Sequence, residues 1–196
     1  QRHDLWSAMA AVLLAPSAGI LVSKAPSLAQ EGATDLPEFD HLRQSVIRIQ
    51  AVASNFDWLH PFMPGQDGVG LGSGFVVQAK PYPLFVTNAH VISDAKKVTV
   101  QLLLYGAEQF DAEVVSVCTK FDLALLVLQD VDGFTRGLGT RNITLEPLKL
   151  ADGVAAMGMD VVALGFPLGQ DALKISKGNV AGNEDVDGNI CIQSTA

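Results

Sequence analysis

Residues 45–52, Ser-Val-Ile-Arg-Ile-Gln-Ala-Val, alternate apolar and polar side chains. That is the two-residue period of a strand with one face in a core and the other toward water. Residues 74–77 and 84–87 are two further strand-like runs, and Lys80-Pro81-Tyr82-Pro83 between them predicts a hairpin turning at the prolines. Residues 97–102, 112–117 and 123–128 extend the series. A second set follows at 148–150, 160–165, 175–180 and 189–193. After residue 40 no segment holds a helical period beyond a turn or two. Many short strands with Gly/Pro turns between them predict an all-β sandwich or barrel.

The stretches between the strands set the organisation. Residues 55–68 read as a long loop rich in aromatics, Pro and Gly, and residues 130–145, rich in Gly and charge, read as a connection between two halves. Residues 31–40 are polar and contain a proline, as a linker does. Ahead of them, residues 8–22 form a short Ala/Leu-rich run broken by Pro16 and Gly19, followed by Ser27-Leu28-Ala29. An export signal has this form, with cleavage expected after Ala29. The run is too short and interrupted for a stable spanning helix, with an uncleaved anchor as the alternative.

Composition narrows the class. Hydrophobic residues make up 48% of the chain, charged ones 17% and aromatics 7%, which suits a globular domain and not a disordered tract. The formal net charge is -8, and no Lys/Arg cluster offers the basic face that phosphates require, so nucleic acid is excluded as a partner. Cys118 and Cys191 stand far apart without metal-type spacing; they read as small core residues, with a disulfide left open. Of the four histidines (His3, His41, His60 and His90) none forms a His-x-His or His-x-x-x-His pair, so no metal is expected.

Two polar side chains occupy awkward places. His90 ends the apolar run Phe85-Val86-Thr87-Asn88-Ala89, and Asp122 opens the run Leu123-Ala124-Leu125-Leu126. An unpaired buried carboxylate would cost several kcal/mol, roughly 2–7 by the transfer of polar groups alone. Asp122 is therefore either paired or turned to water beside Lys120, and the local sequence does not choose between these. A lone His in a turn is more often structural; its combination with Asp122 is what suggests a base and the carboxylate that orients it. Gly70-Leu71-Gly72-Ser73-Gly74 fits neither a dinucleotide fingerprint nor a P-loop, and reads as a tight turn feeding a strand. Leu71 in the first Gly position also rules out a nucleophile elbow at Ser73.

Four blocks taken in order carry a family resemblance: Gly72-Ser73-Gly74-Phe75-Val76-Val77, then Val86-Thr87-Asn88-Ala89-His90-Val91-Ile92, then Asp122-Leu123-Ala124-Leu125-Leu126, then Val162-Ala163-Leu164-Gly165-Phe166-Pro167-Leu168-Gly169. From about Ser45 to Ala196 the chain resembles the HtrA/Deg family, trypsin-fold serine endopeptidases of protein quality control, and residues 55–62 resemble eukaryotic Deg proteases in particular. The resemblance implies a trypsin-like double β-barrel, the first complete (residues 45–130) and the second incomplete (147–196), joined by a connection at 131–146. Ahead lie a targeting segment, 1–29, and a linker, 30–44. By the resemblance, His90 is the general base and Asp122 its orienting residue. The family's nucleophile lies in Gly-Asn-Ser-Gly-Gly shortly after a strand like Cys191-Ile192-Gln193, so the Ser is expected past Ala196. Ser194 lacks the glycines of an oxyanion hole and is no substitute. The pattern at residues 176–182 follows the family's cleft-flanking loop only loosely.

What the resemblance implies functionally is a serine-type endopeptidase acting on unfolded or damaged polypeptides, without a cofactor. It also implies a homotrimer in which Phe56, Trp58 and Phe62 are candidate contacts, or else cover the end of the first barrel. The segment as it stands is expected not to cleave peptide bonds. The rival from another class is an inactive trypsin-fold homologue that binds peptides or partners, and a third reading is a Cys nucleophile on the same barrel. With the leader, the expected location is exported or within an organelle lumen, best a plastid thylakoid, with mitochondrion or a periplasm-like space as alternatives.

Overall fold

The structure is a computed structural model describing residues 20–23, 42–55, 59–60, 62, 65–151, 155–167, 172–186 and 188–196. Its strands are β1 (Ile20–Ser23), β2 (Val46–Asn55), β3 (Gln66–Gln78), β4 (Leu84–Thr87), β5 (Ala95–Leu102), β6 (Phe110–Cys118) and β7 (Leu123–Leu128). The helix α1 (Val131–Thr140) follows, then β8 (Asp160–Gly165), β9 (Lys174–Val186) and β10 (Asn189–Ser194).

Strands β2 to β7 close into a barrel in the order β2-β3-β4-β7-β6-β5, every neighbouring pair antiparallel. Closure leaves no unpaired edge in this half. The period-two pattern of β2 points Ile47 and Ile49 inward, where they meet Val76, Phe85, Val100, Leu102, Leu126 and Leu128. The apolar runs in β4 and β7 do not alternate, because both their faces are covered. Phe75, Val86, Leu123 and Leu125 face away from the barrel axis into a second cluster with Val162, Leu164 and Phe166 of the other half. That half is an open sheet, β1-β8-β9-β10. The all-β double-barrel expectation holds in this form, with one closed barrel and a partial second.

The structure corrects several details. The connection at 130–145 contains a helix: the Asp130 carboxylate caps it by accepting from Gly133 N at 2.8 Å, and Phe134 and Leu138 are buried one turn apart. Its glycines hide this from propensity. One of them is explained by packing, since a Cβ on Gly137 would overlap the Tyr105 hydroxyl. Phe134 fills the barrel's end, stacked on Tyr105 at 5.5 Å and edge-on to Phe110 at 4.8 Å. Residues 70–74 are not a turn but the middle of β3. The loop read at 55–68 is shorter, because β2 and β3 pair as far as Asn55 and Gln66. Residues 148–150 are not a strand; Leu148 N donates to Val76 O at 2.9 Å, and Leu148 and Leu150 pack on the second cluster.

The segments read from the sequence as leader and linker, residues 1–29 and 30–44, lie mostly outside the described residues. Ile20–Ser23 is the described part of residues 1–29. Its backbone pairs with Leu164–Val161. The outer edge of β8 carries unpaired backbone groups, which an apolar extended segment can satisfy. Within the linker's bounds, residues 42–44 form a single 3-10 turn, and Leu42 is buried in the second cluster.

Candidate active site

Strand β4 ends at Thr87, whose hydroxyl donates to Ser73 O across the sheet at 2.9 Å. The next residues leave the ladder and form one 3-10 turn, His90–Ile92. Ala89 and Ile92 are buried and anchor the turn on the barrel. Val91 lies on β3, where it meets a glycine: a Cβ on Gly72 would stand 2.6 Å and 2.7 Å from the two Val91 γ-methyls. The glycine spacing in β3 therefore lets the His-bearing turn settle on the strand, and has nothing to do with phosphate.

Asp122 is presented by the neighbouring strand. A 3-10 turn, Thr119–Phe121, runs into it from β6, and the residue adopts the left-handed conformation, φ 52° and ψ 45°, before β7 begins. Asp is among the few side chains that tolerate this region. The pairing Thr87↔Ala124 brings β7's start beside β4's end, and Ala89 N donates to Asp122 O at 3.0 Å.

The two side chains meet. His90 Nδ1 lies 2.6 Å from Asp122 Oδ2, and His90 main-chain N donates to Asp122 Oδ1 at 2.8 Å. Of the two readings left open for Asp122, the paired one is what the structure displays. Lys120 does not compete, because its ammonium sits over the Phe121 ring at 5.2 Å. A carboxylate facing Nδ1 favours the tautomer with the proton on that nitrogen. Nε2 then carries the lone pair, and among the described residues it has no protein partner. The imidazole is half exposed, at 52%. A base oriented by a carboxylate and open on its other nitrogen can take a proton from a group that approaches from solvent.

Asn88 escaped the sequence reading. Its amide donates to Asp122 Oδ2 at 3.1 Å and to Asp122 O at 3.2 Å. Its sequence position carries no signal, since Asn commonly follows a strand in a turn. The Ser73 hydroxyl accepts from Phe166 N at 2.8 Å, tying the barrel to the second half. Ser194 is part of β10, where its hydroxyl accepts from Ala196 N at 2.9 Å. Cys118 and Cys191 are both free and half-buried. His60 and Phe62 are exposed on the loop after β2, while Phe56, Trp58, His3 and His41 lie outside the described residues.

Comparison with known proteins adds the relatives. Residues 72–196 match the model of a family described as trypsin-like peptidase domain. The periplasmic pH-dependent serine endoprotease DegQ of Escherichia coli is 34% identical over 113 residues, 57% of this chain and 22% of that protein. Protease Do-like 4, mitochondrial, of Arabidopsis thaliana is 27% identical over 72% of this chain and 25% of its own length. The chain thus spans about a quarter of the length of these two relatives. Among solved structures, the active form of the Rv3671c protease from M. tuberculosis superposes with a TM-score of 0.55 at 23% identity, covering 93% of this chain and 70% of that one. That likeness concerns the fold.

Proposed function

Because the chain belongs to the family of trypsin-like peptidase domains and is HtrA/Deg-like within it, we propose that it is the N-terminal part of a serine endopeptidase. His90 is the general base, Asp122 its orienting carboxylate, and the nucleophilic Ser follows β10, past Ala196. In the reaction, His90 Nε2 takes the proton of the Ser hydroxyl as that oxygen attacks the peptide carbonyl carbon. The same nitrogen then gives the proton to the departing amine. Asp122 fixes the tautomer and stabilises the imidazolium formed in between. The observation that carries the reading is the contact of both oxygens of one carboxylate with both the ring and the backbone nitrogen of one histidine.

The proposed substrates are unfolded or damaged polypeptides, and the proposed assembly is a homotrimer. Relatives carry mitochondrial, periplasmic and chloroplastic names, which supports an exported or organellar location; with the leader-like segment, we place it in a plastid thylakoid lumen. Residues 1–196 alone are expected to be inactive.

The coding sequence past Ala196 tests this directly. A Gly-x-Ser-Gly-Gly run is expected, and the longer chain should hydrolyse casein and be labelled by a fluorophosphonate. His90→Ala should abolish both. Ala or Gly at the Ser position would refute it and favour a peptide-binding homologue that does not cleave, and full activity in His90→Ala would refute His90 as the base.

A further inference from the structure

We propose that Asn88 is a positioning residue for the His90–Asp122 pair, holding the carboxylate in the one rotation that serves both histidine nitrogens. The catalytic meaning of this rests on the endopeptidase reading above; the positioning itself does not. A carboxylate turns easily about its terminal torsion, which is broad and without deep wells. Without Asn88, both side-chain anchors of the carboxylate would belong to His90 itself, on Oδ1 and Oδ2, and nothing outside that residue would fix its rotation. The Asn88 amide supplies that outside anchor. It donates to Oδ2 at 3.1 Å, the oxygen that also meets His90 Nδ1 at 2.6 Å.

The same amide fixes the backbone beneath. Asp122 stands at φ 52°, a region uncommon for residues other than glycine. There its carbonyl turns toward β4's end, where it accepts from Ala89 N at 3.0 Å and from Asn88 Nδ2 at 3.2 Å. Both partners of the Asn88 amide are acceptors, so the NH2 group and not the amide oxygen must face them. Asn88 itself is held because the preceding residue, Thr87, is paired with Ala124 and bonded to Ser73 O. A shorter apolar residue could end the strand equally well but could not make either contact.

Hydrogen exchange in residues 1–196 reads this without any catalysis. In Asn88→Ala, the His90 main-chain amide should exchange roughly 10-fold faster as its carboxylate acceptor swings free, while the Val86 and Val100 amides keep their protection. Should the Ala variant fail to fold, Asn88→Leu, close in size and without a donor or charge, carries the same expectation. A chain carrying the nucleophile gives the second readout: kcat falls about 10-fold with KM unchanged. Unchanged His90 protection, or a loss spread evenly over the barrel, would overturn the assignment. Failure of the longer chain to hydrolyse protein while the exchange result holds would sink the endopeptidase reading and leave the positioning role standing.

Discussion

Gly72→Ala tests how the His-bearing turn is seated. The new Cβ would lie 2.6, 2.7 and 3.2 Å from three atoms of the Val91 side chain, all belonging to one stiff β-branched group. Carbon atoms rest at about 3.5–4.0 Å, so relief requires a shift of roughly 1 Å. Overpacking of this kind costs about 1–3 kcal/mol. Restricting the unfolded chain at a former glycine returns about 0.4–1 kcal/mol. The net expectation is a loss of about 1–2 kcal/mol, or roughly 2–8 °C in Tm for a domain of this size. Since the three nearest atoms all belong to Val91, Val91→Ala in the same chain should recover most of the loss. Urea denaturation of the parent, both single variants and the double variant measures the coupling, expected at about 1–2 kcal/mol. His90 directly precedes Val91, so faster exchange of the His90 amide should accompany the single Gly72 variant and disappear in the double. Additive effects within about 0.3 kcal/mol, or an undiminished Gly72→Ala stability, would refute the seating argument.

Further outcomes follow from other contacts. Ser73→Ala leaves the Phe166 N–H without its acceptor between the two halves; a loss of about 1–3 kcal/mol in denaturant titration and faster exchange at Phe166 are expected, and normal protection there would contradict the tie. Phe134→Ala empties the plugged end of the barrel, where Phe134 is 1% exposed; about 3–5 kcal/mol should be lost in urea. Asp67 is held below its ordinary 3.8, chiefly by the side-chain hydrogen bond from Lys96, then by that from Ser54. The stability this confers is present above the unfolded carboxylate's pKa and is lost as pH falls through the lowered folded one. Lys96→Ala should move Asp67 back upward in a carbon-detected NMR titration.

How much of this was legible depended on whether a residue's reason was local. The strands of the first barrel follow from two-residue alternation, as in β2, or from apolar runs flanked by turn residues, as in β4 and β7. Helix α1 was missed because its glycines answer to distant partners: Gly137 is small for the sake of Tyr105, a residue more than thirty positions earlier. Gly72 misled for the same reason, since glycines in a row suggest a turn until the neighbour that needs the space is known. His90 and Asp122 were found through their incongruity among apolar neighbours. Asn88 offered no such incongruity, because Asn after a strand is what a turn ordinarily contains.

The His90–Asp122 geometry is set by strand register within the first barrel. His90 follows β4 and Asp122 precedes β7, and these strands pair at Thr87↔Ala124. Slipping that pairing by one residue would exchange the faces of every side chain on one strand. Here slippage is blocked twice, since Phe85 and Leu126 face the barrel core while Val86 and Leu125 face the second cluster, and all four are buried. Neither strand can trade faces without matching the wrong shapes on both sides. The left-handed turn at Asp122 then fixes where the carboxylate leaves the strand, and the Ala89 and Asn88 donors fix where it points. The hydrogen bonds that join Asp122 to Asn88, Ala89 and His90 all lie within the first barrel. The second half contributes the cover over Val86 and Leu125 and, through Phe166 and Ser73, the distance at which anything it carries stands from His90.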